Sequence, residues 1–165
     1  MHEIKLSTVV LAPRERVFDL ARSVDAHQAS AKGTEERAIA GVTSGLIELN
    51  DEVTWEARHF GLRQKLTVRV TELDRPRRFQ DVMVSGAFAK MVHDHEFFEH
   101  PDGTLMTDRF MFSSPFGIIG RIVELLFLAG YLRRFIARRN AVLKTLAESD
   151  GWRRYLTPSV SSKKV

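Results

Sequence analysis

The hydrophobic period of this chain changes twice, and those changes restrict its fold more than any other feature. "EIKLSTVVL", residues 3–11, alternates as a first strand does; Pro13 then stops it and suits the first turn of a helix. In "PRERVFDLARS", Val17, Leu20 and Ala21 fall at helical spacing, and "DAHQASAK" reads as a second short helix capped by Asp25. From residue 34 to residue 113 the period becomes two. Strand-like segments lie near 35–40, 44–49, 52–60, 62–73, 79–85, 89–98 and 105–113. Turn signals separate them: "LND", Gly61, "DRPRR", Gly86 and "HPDGT". The short connections predict a meander of antiparallel neighbours.

After "SSPFG" the period is helical again to about Ser149. Ile118, Ile122, Leu125, Ala129, Leu132, Ile136, Leu143 and Ala147 form one stripe, interrupted only by Asn140. A helix that long needs a broad surface to bury its stripe, and the concave face of a sheet supplies one. The expected order is therefore strand, two short helices, a strand meander and one long C-terminal helix: an α+β fold with a seven-stranded curved antiparallel sheet wrapped around the helix.

Composition narrows the function. At 165 residues and 44% hydrophobic content the chain suits one globular domain, here expected to span residues 1–149. With no cysteine, disulfides, thiolate metal sites and a cysteine nucleophile are excluded. The N-terminus shows no basic segment leading into a long apolar run, so a cytoplasmic location is expected. "FGIIGRIVELLFLAGYL" is interrupted by Arg121 and Glu124, which argues against stable membrane insertion. The isoelectric point near 9.7 suggests nucleic acid, but three of the four net positive charges lie in residues 150–165. That segment, ending "TPSVSSKKV", reads as a disordered solubilising tail, and no nucleic-acid partner is expected.

The densest group of chemistry-bearing residues is "MVHDHEFFEH", residues 91–100. As a strand it divides: Met91, His93, His95 and Phe97 share one face, and Val92, Asp94, Glu96 and Phe98 the other. The second set holds both acids and reads as the solvated side. On the next strand Met106, Asp108, Phe110 and Phe112 share the inward face, so Asp108 is the expected partner of His93 or His95. Trp55 and His59 align inward on 52–60, with Gln64 inward on the strand after it. Three interpretations of this interior are open. A buried His–Asp network fixes strand register; or it is the polar end of a ligand cavity; or His-x-His and a carboxylate bind a metal. The last is the least favoured, and no cofactor or metal is expected. If the cavity is catalytic, His93 or His95 serves as general acid or base and Asp108 sets its tautomer, which suits enolisation.

The long helix carries a second apolar face, Val123, Phe127, Leu128 and Tyr131. Loops, Trp152 and Tyr155 of the tail, a homodimer partner or an acyl ligand entering at the "SSPFG" hinge are the candidates to cover it. Arg134, Arg138, Arg139 and Lys144 read as a solvated outer face that complements the helix dipole.

The element order resembles the helix-grip fold of the START/SRPBCC superfamily over residues 2–148. "VTWEARHFGLRQKLTVRVTELDRPRRFQD", "GAFAKMVHDHEFF", "GTLMTDRFMFSSPFGIIG" and "FIARRNAVLKTL" resemble its polyketide cyclase/dehydrase-like branch. Members of that superfamily bind lipids, sterols, quinones, hormones or polyketides, and only some catalyse reactions. The resemblance thus implies a small or medium-sized hydrophobic ligand of lipid, quinone, polyketide or aromatic type, held between sheet and helix. The expected lining is Trp55, His59, Gln64, Met91, His93, His95, Phe97, Asp108, Phe110, Phe112, Ile122, Leu125 and Ala129. A cyclase/dehydratase and a protein-interaction module are the alternatives.

Overall fold

A computed structural model of the chain describes residues 1–114 and 127–156, apart from the Lys32 side chain. Ile118, Ile122, Val123, Leu125, the "SSPFG" hinge beyond Ser114, and the last nine residues of the tail lie outside the described residues.

The chain folds in the expected order. Strand β1 (His2–Val10) leads into helices α1 (Arg14–Ala21) and α2 (Val24–Ser30), followed by strands β2 (Arg37–Gly41), β3 (Glu52–His59), β4 (Leu62–Asp74), β5 (Arg78–Ser85), β6 (Lys90–His100) and β7 (Gly103–Ser113). Helices α3 (Ala129–Glu148) and α4 (Arg153–Leu156) close it. The strands make one curved antiparallel sheet in the order β1-β7-β6-β5-β4-β3-β2. The α1–α2 connection carries the chain from one sheet edge to the other, and the meander brings it back to β1. Helix α3 lies against the sheet and packs on β1, α1 and α2.

Residues 44–49, expected as a strand, are a loop. Gly41 before the segment, Gly45 inside it and Asn50 after it take positive φ (72°, 79° and 70°), which breaks the extended chain. Its backbone pairs with the α1–α2 junction instead: Val24 N–H donates to Gly45 O (2.9 Å) and Ile47 N–H to Arg22 O (3.1 Å). The cap of α2 also differs from expectation. Ser23 is the N-cap and accepts from the Ala26 N–H, whereas the Asp25 carboxylate accepts from the Gly45 N–H at 2.8 Å. The start of the supposed tail is ordered: residues 150–152 form a 3₁₀ turn, α4 follows, and Trp152, Tyr155 and Leu156 pack against the core. Three ring-bearing or branched side chains provide enough apolar surface to hold this short stretch down.

Two apolar clusters fill the interior. One gathers Ile4, Val53, Trp55, Met91, Phe110, Phe112, Leu132 and Ile136; the other Val10, Val17, Phe18, Phe79, Phe97, Met106 and Ala147. The length of β6 explains the division: along its one inward face Met91 belongs to the first cluster and Phe97 to the second, with His93 and His95 between them.

Pairing of β6 with β7 runs unbroken from Lys90↔Ser113 to His100↔Gly103 and sets His95 opposite Asp108. Register shifts lie further across the sheet, between β4 and β5 at Thr67/Val68 and Val70/Glu72 and between β2 and β3 at Ala38/Ala40. They leave the inward set on β6 intact. Gly103 (φ 143°) makes the tight hairpin possible: a Cβ there would lie 2.3 Å from Val10 O, and L side chains avoid that φ. Gly103→Ala is expected to destabilise the protein by about 2–3 kcal/mol, read by urea unfolding. A midpoint unchanged from wild type would mean the hairpin relaxes freely.

Candidate functional site

The polar layer is built by four elements. His93 and His95 come from β6, Asp108 from β7, Asp81 from β5 and Asn140 from α3. His93 Nε2 lies 2.9 Å from Asp108 Oδ1, and His95 Nδ1 lies 3.1 Å from the same oxygen. His95 Nε2 lies 3.1 Å from Asp81 Oδ1, and Asn140 Nδ2 donates to Asp108 Oδ2 at 2.6 Å. The two histidine rings are 3.8 Å apart, and Phe79 stacks on His95 at 4.2 Å. All but Asp81, which is half-buried, are buried. Asn140, the one polar residue on the helix stripe, is thus the partner that the second oxygen of Asp108 requires.

Protonation follows from these contacts. Burial alone would lower His95, but its hydrogen bonds with Asp108 and Asp81 and their charges outweigh that and raise it to about 9, so it is an imidazolium. Burial and the charge on His95 hold His93 below the ordinary histidine value, against the pull of Asp108. Asp108 and Asp81 stay ionised: burial opposes their charge, but the histidine hydrogen bonds hold both carboxyls below the usual range. An ionised Asp108 only accepts, so neutral His93 carries its proton on Nε2 and keeps a lone pair on Nδ1.

Beside this layer lies a cavity of about 240 Å³. Its apolar lining includes Trp55, Leu66, Phe88, Met91, Phe110, Leu132, Phe135 and Ile136, and His27, His59, Gln64, Asp81, His93 and Arg139 supply polar groups. Of the residues expected in the lining, Trp55, His59, Gln64, Met91, His93 and Phe110 are there. His95 and Asp108 sit behind His93 and do not reach the cavity surface. Phe97 packs on Phe18 (5.2 Å between rings) and Phe112 is enclosed by His2 and Phe88 (5.5 Å each), so both are core. Ala129 packs against the first cluster without lining the space. Ile122 and Leu125 lie outside the described residues.

Several polar residues escaped the sequence reading. Asp81 could have been found, because Phe79, Asp81 and Met83 alternate on one face of β5 and Phe79 is plainly apolar. His27, on α2, stacks on Trp55 (3.9 Å, 15°), accepts a hydrogen bond at Nδ1 from Arg139 (2.8 Å) and points Nε2 at Glu36 Oε1 (3.3 Å). Burial and the Arg139 charge lower His27, against Glu36; burial opposes the charge on Glu36, which His27 nevertheless holds below its usual range. No local signal marks this triad, since it joins α2, the approach to β2, and α3. Arg139 is not on the solvated face: its long aliphatic stem carries the guanidinium round the flank of α3 to the cavity. Asp94 is not simply solvated either. It is 8% exposed on the outer face, accepting from Gln80 Nε2 at 2.6 Å.

Of the expected second apolar face of the helix, the described residues do not all point outward. Leu128 and Tyr131 turn into the cavity lining, and Tyr131 hydrogen-bonds His59 Nδ1 through its hydroxyl (2.7 Å); Phe127 remains exposed. Trp152 and Tyr155 do not cover that face. They join the cluster of Phe18 and Val17, with Arg16 over the Trp152 ring at 4.6 Å. Among the described residues no helix is long and apolar enough to cross a membrane.

This architecture, an antiparallel sheet gripping a C-terminal helix, is the α+β helix-grip fold of START-like proteins. By its match over residues 1–148, the chain belongs to the family described as polyketide cyclase / dehydrase and lipid transport, within the START/SRPBCC superfamily. Among solved structures, a protein from Thermus thermophilus superposes with a TM-score of 0.72 at 17% identity, over 87% of this chain and 95% of the other. A START superfamily protein from Mycobacterium smegmatis gives 0.67 at 15% identity, covering 90% and 98%. Major latex-like protein 151 from Panax ginseng gives 0.68 at 11% identity, also covering 90% and 98%. At these identities the likeness concerns fold. No curated protein sequence matches the chain.

Proposed function

We propose that this protein binds a small amphipathic ligand, with an apolar body in the cavity between sheet and α3 and a polar group at the His93 end. The observation that carries the proposal is the lining itself: an apolar, aromatic-rich space onto which a few polar groups converge, His93 buried and the others half-buried. Membership of a family described by lipid transport and polyketide chemistry supports a hydrophobic ligand, whether lipid, quinone, polyketide or aromatic. His93 Nδ1 would accept a hydrogen bond from a ligand hydroxyl, and Arg139 would donate to a carbonyl.

The test is displacement of N-phenyl-1-naphthylamine, an uncharged fluorophore that reports apolar sites, together with native mass spectrometry for a co-purified ligand. Ala57, buried in the lining, is the position to fill. Ala57→Phe is expected to weaken fluorophore binding at least tenfold with the fold intact by circular dichroism. Equal binding by the variant would remove the cavity as the site.

A cyclase or dehydratase is the second reading, favoured by one observation. Asp108 holds neutral His93 in the tautomer whose Nδ1 is free to take a proton, the arrangement a general base needs. Abstraction of an acidic C–H proton next to a ligand carbonyl would generate the enolate that aldol closure requires, with Arg139 placed to meet the developing oxyanion. Turnover unchanged by His93→Gln would rule it out.

A further inference from the structure

We propose that Asp81, His93 and His95 form a binding site for one divalent transition-metal ion at the inner end of the cavity. One nitrogen from each histidine and one carboxylate oxygen of Asp81 lie within 4.8 Å of one another. A tetrahedral ion with bonds of about 2.0–2.2 Å needs donors roughly 3.4 Å apart. The remaining adjustment is a side-chain rotation of about an ångström, within reach of residues that share two paired strands.

The backbone holds the set in place. His93 and His95 are alternate residues on β6, and Asp81 is the direct cross-strand partner of His93 on β5. Two imidazoles and a carboxylate are the donor types that zinc, iron, cobalt and nickel accept, and that calcium and magnesium do not prefer. From the sequence only Asp108 offered the histidine pair a carboxylate; Asp81 supplies the ligand that His-x-His lacked.

What surrounds the three donors fits the same purpose. Asp108 hydrogen-bonds both histidines and is itself held by Asn140, an outer carboxylate that fixes ring orientation. Binding the ion displaces the proton on His95 Nε2 to solvent; the two imidazoles are then neutral, Asp81 and Asp108 carry a formal charge of −2, and one divalent ion cancels it inside a low-dielectric interior. His93 and Asp81 also line the cavity, so the open coordination position would face it, and in the metal-loaded protein it would take the ligand oxygen in place of His93 Nδ1, whose lone pair the ion then holds.

The test uses the full chain, stripped with EDTA and titrated with Co²⁺, whose visible absorption reports a low-coordinate nitrogen/oxygen site; Zn²⁺ competition follows. One Co²⁺ per chain is expected, displaced by Zn²⁺. Asp81→Asn and His93→Gln should each weaken it at least a hundredfold, while His100→Gln, at the β6–β7 turn, should leave it unchanged. Asp81→Asn preserves size, so its fold can be verified by circular dichroism if His93→Gln proves unstable. Absence of saturable one-to-one binding, or binding lost with His100 rather than Asp81, would overturn the site. The fluorophore assay is run without metal, so its result bears on the cavity independently of this one.

Discussion

Replacing Asp108 by alanine is expected to cost about 3–5 kcal/mol of folding stability, because it strips a buried charge from three partners at once. His93 loses the acceptor that sets its tautomer, His95 loses one of the two carboxylates that stabilise its charge, and Asn140 loses the acceptor of its amide. All three are buried, so each lost bond leaves a polar group short of a partner. For a chain of this length the loss corresponds to a fall in Tm of roughly 10 °C or more. Asp108→Asn keeps the shape and one acceptor and should cost less; Asn140→Ala should cost less again, since Asp108 keeps both histidines. Urea unfolding of the three variants gives the order directly. If the alanine variant lost under 1 kcal/mol, the polar layer would contribute little to the fold.

Stability should also fall on both sides of a maximum near pH 6.5 in the EDTA-treated protein. The alkaline arm belongs to His95. Its folded value, about 9, lies above its unfolded 6.5, so its contribution is fully present below pH 6.5 and is lost as pH rises towards and through 9. That difference corresponds to about 3 kcal/mol. The acid arm belongs to His27, His59 and His93, all held below 6.5 chiefly by burial. Below that pH the unfolded chain binds protons that the folded chain refuses, so stability falls as pH drops. Glu36, Asp81 and Asp108 are lowered too, and their contributions persist into more acid conditions. His95→Gln should flatten the alkaline arm and leave the acid arm. Equal stability of the wild type at pH 6.5 and pH 9 would show that His95 is not held as a cation.

Much of the fold was legible because strands announce themselves twice, by alternation and by the turns between them. Strands β3 to β7 fell within a few residues of expectation for that reason. The segment 44–49 failed because it alternates without continuing: positive φ at Gly41 and Gly45 turns its backbone away from the sheet, and a period of two cannot register that. In the site, the pairing of β6 with β7 was readable from a short hairpin, and with it the His93–Asp108 contact. Asp81 lay one strand further along the same meander. The Glu36–His27–Arg139 triad had no comparable sign, because its members meet only when α2 docks beside α3.

By itself the sequence determined which side chains share a strand face. A pleat has two sides, so one apolar neighbour assigns the whole set, and His93 and His95 followed Met91 inward. It also determined that a long amphipathic helix must close the sheet. Only the tertiary structure decided how that helix is rotated and what its flanks reach. A helix presents side chains all round its axis, and a long one such as Arg139 can follow its aliphatic stem to either side. That is why an arginine read as solvated borders the cavity, and why Asn140, an interruption in an apolar stripe, is the partner of a buried aspartate.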